Sequence, residues 1–361
     1  MSIPILITSI TLAIIAVVFF GGAISSKKLT TESTFFSMGQ TNWLRSIAIL
    51  MVMFSHYYPV LGLSYSDGII SFCLNFGYMG VAIFFLLSGY SIMISKINKP
   101  NYLKGFIPKR LLRLYVPFLI VFILDVLLMV VTGKGLKIED LLFLPLMSLP
   151  GTLNWYLKIQ LCLYILFYVL AKALKNNNVI VGTSFAICII YMVVGYITGI
   201  TDFWYETVFA FPLGMLIACK KDLLFSVFSR RYCVALPFSI IVFIICFMPY
   251  YLKGGTILEI LFILGFLQLI VCLCVRISGS VSSKLFTFLG ALSLELYLVH
   301  IVLLKTIFSG KILSGSSLPV SVLLLVLFII SAILLSIFIS LISKRFLSYY
   351  MESKVTNRKR G

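Results

Sequence analysis

Acidic residues are scarce in this chain: Asp and Glu number 11 among 361 residues, and all charged residues together make up 11 %. A soluble domain carries about a quarter of its residues as charged types, so a water-soluble globular class is excluded. Histidine is scarcer, with only His56 and His300. No HExxH pair and no CxxC pair occurs, and without them no zinc centre of familiar spacing is expected. The eight cysteines, at 73, 162, 188, 219, 233, 246, 272 and 274, lie in or beside apolar runs and read as small buried hydrophobes. A P-loop and a GxSxG elbow are missing too, which argues against nucleotide hydrolysis and a serine-hydrolase fold. Neither an internal repeat nor a matched pair of interrupted helices is visible, so the usual signature of an inverted-repeat transporter is lacking. Apolar and polar residues do not alternate over long stretches, which argues against a β-barrel.

What the chain has instead is apolar length. Apolar residues make up 61 % of it, and the mean hydropathy is +1.14. Continuous runs define about eleven spans, near 3–22, 44–62, 69–95, 114–132, 154–174, 179–199, 205–219, 233–250, 257–276, 286–308 and 318–342. The expected fold is therefore all-α, a polytopic transmembrane helix bundle. The net charge of +18 does not point to nucleic acid, because the basic residues sit in short loops between spans. Counted by alternate loops, 23 of the 29 basic residues fall on one side. That side is expected to be cytoplasmic. The expectation is a multi-pass protein of the cell membrane in contact with its lipids, N-terminus outside and C-terminus cytoplasmic. Residues 1–40 read as a signal-anchor helix and polar linker, 41–345 as the membrane domain and 346–361 as a basic cytoplasmic tail.

A few residues in the spans carry chemistry. Arg45 and His56 are eleven apart in NWLRSIAILMVMFSHYY. At about 100° per residue they return to within roughly 20° of one direction, separated by a rise of about 16 Å. They share one helix face, with the histidine well inside the membrane, where an ionisable group is costly and usually functional. Lys109, Arg110 and Arg113 crowd the entry to another span, and guanidinium forks suit phosphate oxygens. Spacing alone fits positive-inside retention at least as well. His300 lies about fourteen residues from the cytoplasmic end of its span, a depth comparable with that of His56, and Tyr297 is its i−3 neighbour. It reads either as functional or as a bundle-facing histidine bonded to a backbone carbonyl. Asp125 fits an ion pair across the bundle and fits a functional role equally. Trp155 fits an aromatic interface belt, and Ser88-Gly89 fits close helix packing.

Together these segments resemble the acyltransferase-3 family of integral membrane acyltransferases. The resemblance rests on five stretches in order: LRSIAILMVMFSHYY, VAIFFLLSGYSI, KRLLRLYVPFL, NWYLKIQLCLYILF and LGALSLELYLVHIVLL. A sixth, FPLGMLIA, is weaker. It implies a ten-helix core, here preceded by one extra N-terminal helix. It also implies transfer of an acyl group, commonly acetyl, from cytoplasmic acyl-CoA to a hydroxyl of an exported or lipid-linked glycan, with no bound cofactor and no metal. Arg45 and His56 are then tied to activity, with His300 as a further catalytic candidate. Arg110 and Arg113, with Lys109, are tied to the donor. Trp155, Tyr297, Ser88 and Gly89 become pocket candidates. Some members carry an extracellular hydrolase-like domain, and none is visible here, so the resemblance implies that the chain either finishes the transfer itself or hands the acyl group to a separate extracellular transferase. A rival reading, a polytopic transporter or flippase in a cell-surface glycan pathway, also fits buried His, Asp and Glu.

Overall fold

The computed structural model describes residues 31–60, 76–133, 149, 155–276, 284–308 and 318–360. The described residues form twelve α-helices and no strand. They are α1 (Met38–Val60), α2 (Phe76–Asn98), α3 (Phe106–Val131), α4 (Trp155–Ala173), α5 (Asn177–Thr198), α6 (Ala210–Cys219), α7 (Lys221–Arg230), α8 (Tyr232–Lys253), α9 (Thr256–Cys274), α10 (Lys284–Ala291), α11 (Ser293–Thr306) and α12 (Leu318–Arg360). Helix is the natural state of such runs, because in hydrocarbon every backbone N–H and C=O must be satisfied within its own segment. Polar punctuation sets some of the ends. The Asn176 side chain accepts from the Asn178 N–H at 2.8 Å to start α5, and Gly199, at φ 69°, closes it.

Seven of these helices, α2, α3, α4, α5, α8, α9 and the long apolar part of α12, are long and apolar enough to cross a membrane, and α10 with α11 make an eighth if counted as one bent span. The chain is a multi-pass membrane protein. The expected span 3–22 lies outside the described residues. Three other expectations change. The span at 205–219 shrinks to the ten helical residues of α6, about half the length of a straight membrane helix, with turns before it. The span at 44–62 becomes a helix that starts at Met38 and carries polar residues, so it does not reach the apolar standard of the seven. The span at 286–308 breaks into α10 and α11 with a bend of 70°. His300 lies on α11, beyond that break.

The chain divides into two compact units. The first takes residues 1–58, 63–104 and 162–291. Helix α2 is at its centre, with 72 % of its apolar window buried, whereas α8 has 6 % buried and presents its apolar side chains outward. Such a surface in a membrane is lipid contact rather than an unpaired patch. The packing of α2 on α6 depends on two glycines. A Cβ on Gly89 would fall onto the Phe211 carbonyl, and one on Gly214 onto the Leu86 carbonyl. Small residues let the two backbones touch, as helix pairs in lipid require. Helix α1 is fixed within the same unit by buried Gln40, whose Nε2 donates to the Cys274 carbonyl at 2.7 Å.

The second unit takes residues 59–62, 105–161 and 292–361. Helices α3, α11 and α12 pack pairwise within it. Phe308 meets Phe328 edge-on at 5.6 Å. On α12, Ser336, Ser340 and Ser343 are buried along one face, where small side chains permit close approach.

Candidate functional site

Arg45 and His56 both lie on α1, and the helix runs unbroken between them. From Trp43 to Tyr57 every residue is buried except these two: Arg45 is half-buried and His56 is exposed. The eleven-residue spacing thus has a structural counterpart, since the two side chains that escape burial are the two that share a face. Close packing seals the rest of the helix. A Cβ on Gly77 would lie 2.6 Å from Ser55 Oγ, and one on Gly80 would lie 2.6 Å from the Ala48 carbonyl oxygen.

Local bonds hold both side chains. Arg45 donates from Nη1 to Asn42 Oδ1 at 2.9 Å and from Nη2 to Ser91 Oγ at 3.4 Å. Ser91 in turn donates to the Leu87 carbonyl at 2.6 Å, which fixes the acceptor. Asn42 is held close as well, because Gly290 packs directly on its backbone. His56 hydrogen-bonds the Val52 carbonyl one turn back. A ring nitrogen that donates there leaves the lone pair on the other nitrogen, which is the tautomer a general base needs. Asn42 and Ser91 were not singled out from the sequence. The Asn42-x-x-Arg45 spacing was a usable signal for one of them, whereas Ser91 comes from a different helix.

Ser88 and Gly89 lie on α2, the helix that supplies Ser91. The space beside Gly89 is filled by the Phe211 carbonyl, so this residue is a point of contact between α2 and α6.

In the second unit, His300 is fully buried and its Nδ1 lies 3.0 Å from the Leu296 carbonyl oxygen. That is the bond expected of a bundle-facing histidine. The Tyr297 ring lies tilted against its neighbours, 5.8 Å from the His300 ring and 4.9 Å from that of Tyr156 between centroids. Tyr156, rather than its half-buried neighbour Trp155, therefore joins this aromatic group, and its hydroxyl donates to Gln160 Oε1 at 3.4 Å. Asp125 pairs with Lys305 at 2.6 Å, joining α3 to α11. The donor candidates occupy the first two turns of α3. Lys109 and Arg113 are exposed, and Arg110 lies over the Phe106 ring at 5.5 Å. Two basic side chains therefore reach solvent, while a third is steadied by a ring face.

A carboxyl group of a different kind sits in the first unit. Glu206 is fully buried beside Glu259, which is almost so. Thr256 donates to the nearby Asp202 at 2.8 Å. Two carboxylates cannot donate to each other, so the Glu206–Glu259 contact is a hydrogen bond only when one of them carries a proton. Only scarcity hinted at this pair, in that acidic residues are rare in the chain and Glu259 stands inside an apolar run. Among the described residues no group of three His, Cys, Asp or Glu side chains comes together as a metal site would require.

Residues 38–343 match a family model described as an acyltransferase domain, Acyl_transf_3. No curated protein and no solved structure matches.

Proposed function

The chain belongs to the acyltransferase-3 family, and from that premise we propose that this membrane acyltransferase moves an acyl group, acetyl in the first instance, from cytoplasmic acyl-CoA to a hydroxyl of an exported or lipid-linked glycan. The observation that carries the proposal is the exposure pattern of α1, where Arg45 and His56 alone stay accessible between Trp43 and Tyr57. A cation and a base on one accessible face are the groups that acyl transfer from a thioester to an alcohol needs.

In this reading His56 takes the proton of the acceptor hydroxyl as its oxygen attacks the thioester carbonyl. The C–S bond then breaks, and the CoA thiolate leaves with the proton that His56 held. A two-step variant, with the acyl group resting on the imidazole before it reaches the acceptor, uses the same side chain. Arg45 supplies positive charge on the same face, and its bonds to Asn42 and Ser91 fix its direction in advance. Arg110, Arg113 and Lys109 are assigned to the phosphates of CoA. The exposure of Lys109 and Arg113 supports that role, and the forked guanidinium suits phosphate oxygens. The family assignment and the uneven distribution of basic residues support a donor taken from the cytoplasm of a cell that carries the protein in its plasma membrane. The acceptor is then finished directly or through a separate extracellular transferase.

The test is release of free CoA thiol by the purified protein from acetyl-CoA together with a hydroxyl-bearing glycan, with the new ester identified by mass spectrometry. Thiol release that depends on acceptor is the expected result. Transport of the glycan with no thiol release would replace this reading by that of a carrier.

A further inference from the structure

The first unit contains a cavity of about 520 Å³ bounded by α6, α7, α8 and α9, within the ~300–1,000 Å³ typical of small-molecule sites. Its wall is almost wholly apolar, with Leu216, Leu224, Phe228 and Cys246 among the lining residues. The side-chain amide of Gln268 also lines it, but Nε2 is turned to Ser239 Oγ at 2.6 Å. The single charged lining residue is Lys220, at the junction of α6 and α7. Lys220 is exposed, and its charge and that of Lys96 both bear on the Cys219 thiol. The cavity therefore has a cationic end and an apolar remainder.

Helix α7 explains where such a cavity would open. It packs on α6 and α8, and Leu223, Leu224, Val227 and Phe228 form one apolar face. Leu223, Leu224 and Phe228 line the cavity, and Leu223 and Val227 stay more than half exposed. Lys220, Lys221, Arg230 and Arg231 bracket this helix, with Asp222 as the acidic residue among them. A short amphipathic helix with basic ends lies in the plane of a membrane interface, its apolar side in the acyl region and its cations at the headgroups.

We propose that this cavity is a binding site for one anionic diacyl phospholipid, with an acyl chain between α6, α7, α8 and α9 and the phosphate on Lys220. A void of this size with so apolar a wall fills with a chain, since beyond Lys220 and the Gln268 Oε1 its lining side chains offer water no partner, and ordered water needs two to four. The lone cation at its rim selects a negatively charged headgroup. The site uses none of the residues assigned to acyl transfer, so it stands or falls independently of that reading.

The experiment is native mass spectrometry of the purified full-length protein in detergent, titrated with phosphatidylglycerol or with phosphatidylcholine of identical chains. One phosphatidylglycerol is expected to bind about fivefold or more tightly than phosphatidylcholine, the size of a single lysine near an anionic headgroup. Lys220→Ala should bring the two lipids level. Leu216→Trp, which fills the void, should remove both, and Leu224→Trp on α7 provides the same test if the first variant does not fold. Leu334→Trp, on the exposed face of α12, is the control and should bind as wild type. Equal binding of both lipids by the wild type, or full binding by a folded cavity-filling variant, overturns the proposal. So does displacement of the lipid by acetyl-CoA, which would assign the cavity to the donor.

Discussion

The pair of Asp125 and Lys305 gives the sharpest test of how this bundle tolerates charge. Asp125 is fully buried, Lys305 keeps 24 % of its side-chain surface exposed, and Nζ lies 2.6 Å from Oδ2. The two ends of the pair are therefore not equivalent. Lys305→Met removes the cation beside a buried carboxylate, and breaking a buried pair in this way costs about 3–5 kcal/mol. Asp125→Ala strands a lysine that already reaches the surface and can extend its ammonium toward water. Its loss is nearer that of one charged hydrogen bond, about 1.5–3 kcal/mol. The double variant removes both charges and should recover most of the stability, because a buried pair is often replaceable by apolar residues.

The assay is thermal unfolding of the purified protein in detergent, with membrane abundance and acyl transfer measured on the same four proteins. The expected order is wild type, double variant, Asp125→Ala and then Lys305→Met, with a coupling of at least about 1 kcal/mol between the sites. Additive losses, or a double variant worse than either single one, would refute the claim that the pair is held together by burial. Activity separates structure from function. A folded double variant that transfers acyl groups normally makes Asp125 a tie between α3 and α11, whereas a folded but inactive one makes it part of the chemistry.

The remaining predictions are more local. His56→Ala should lose about 10²–10⁴-fold in acyl transfer per protein at wild-type abundance, and His300→Ala should lose less activity but more stability. A His56→Ala rate above a tenth of wild type would move the base elsewhere. Arg113→Ala should raise KM for acyl-CoA, by an amount equivalent to about 1.5–3 kcal/mol for each charged hydrogen bond lost, and leave abundance alone. An unchanged KM in the Arg110, Arg113 double Ala variant would return the cluster to a purely topological role. Gly89→Val should strip the protein from the membrane, since the new side chain meets the Phe211 backbone and not a movable side chain, while Ser88→Ala is expected to be well tolerated. A tag after Gly361 should be shielded from impermeant reagent in intact cells, and labelling of that tag would invert the orientation.

Apolar continuity made the helices legible, because a long run without charge has few alternatives to helix in lipid. The same continuity hid the break at Leu292. LGALSLELYLVH contains no proline and little polarity, and only Gly290 and Ser293 hint that the backbone turns. Length also misled at 205–219, where Tyr205, Val208 and Phe209 are apolar yet belong to the turns before α6. Long-range partners were not legible in principle. Nothing in the neighbourhood of Asp125 points to Lys305, 180 residues away, or in that of Gln40 to the Cys274 carbonyl, 234 residues away. Periodicity can say that two residues share a face, as it did for Arg45 and His56, but it does not say which helix that face meets.

The two histidines show what accessibility adds to spacing. Both rings bond a carbonyl one turn back, His56 to Val52 and His300 to Leu296. Both bonds leave the same kind of lone pair, so hydrogen bonding does not rank them. Their surroundings do. His300 has no exposed surface and its ring lies against Tyr297, which lies against Tyr156. A proton acceptor for an incoming hydroxyl must be reachable, and a ring closed in this way reaches only its neighbours without rearrangement. His56 interrupts a wall of buried residues at the same helix face as a guanidinium. For His300 to be the base, Tyr297 or Tyr156 would have to move first. A Tyr297→Phe variant keeps the ring contacts and should leave the rate nearly unchanged, whereas Tyr297→Ala should loosen His300 and lower stability before it alters chemistry.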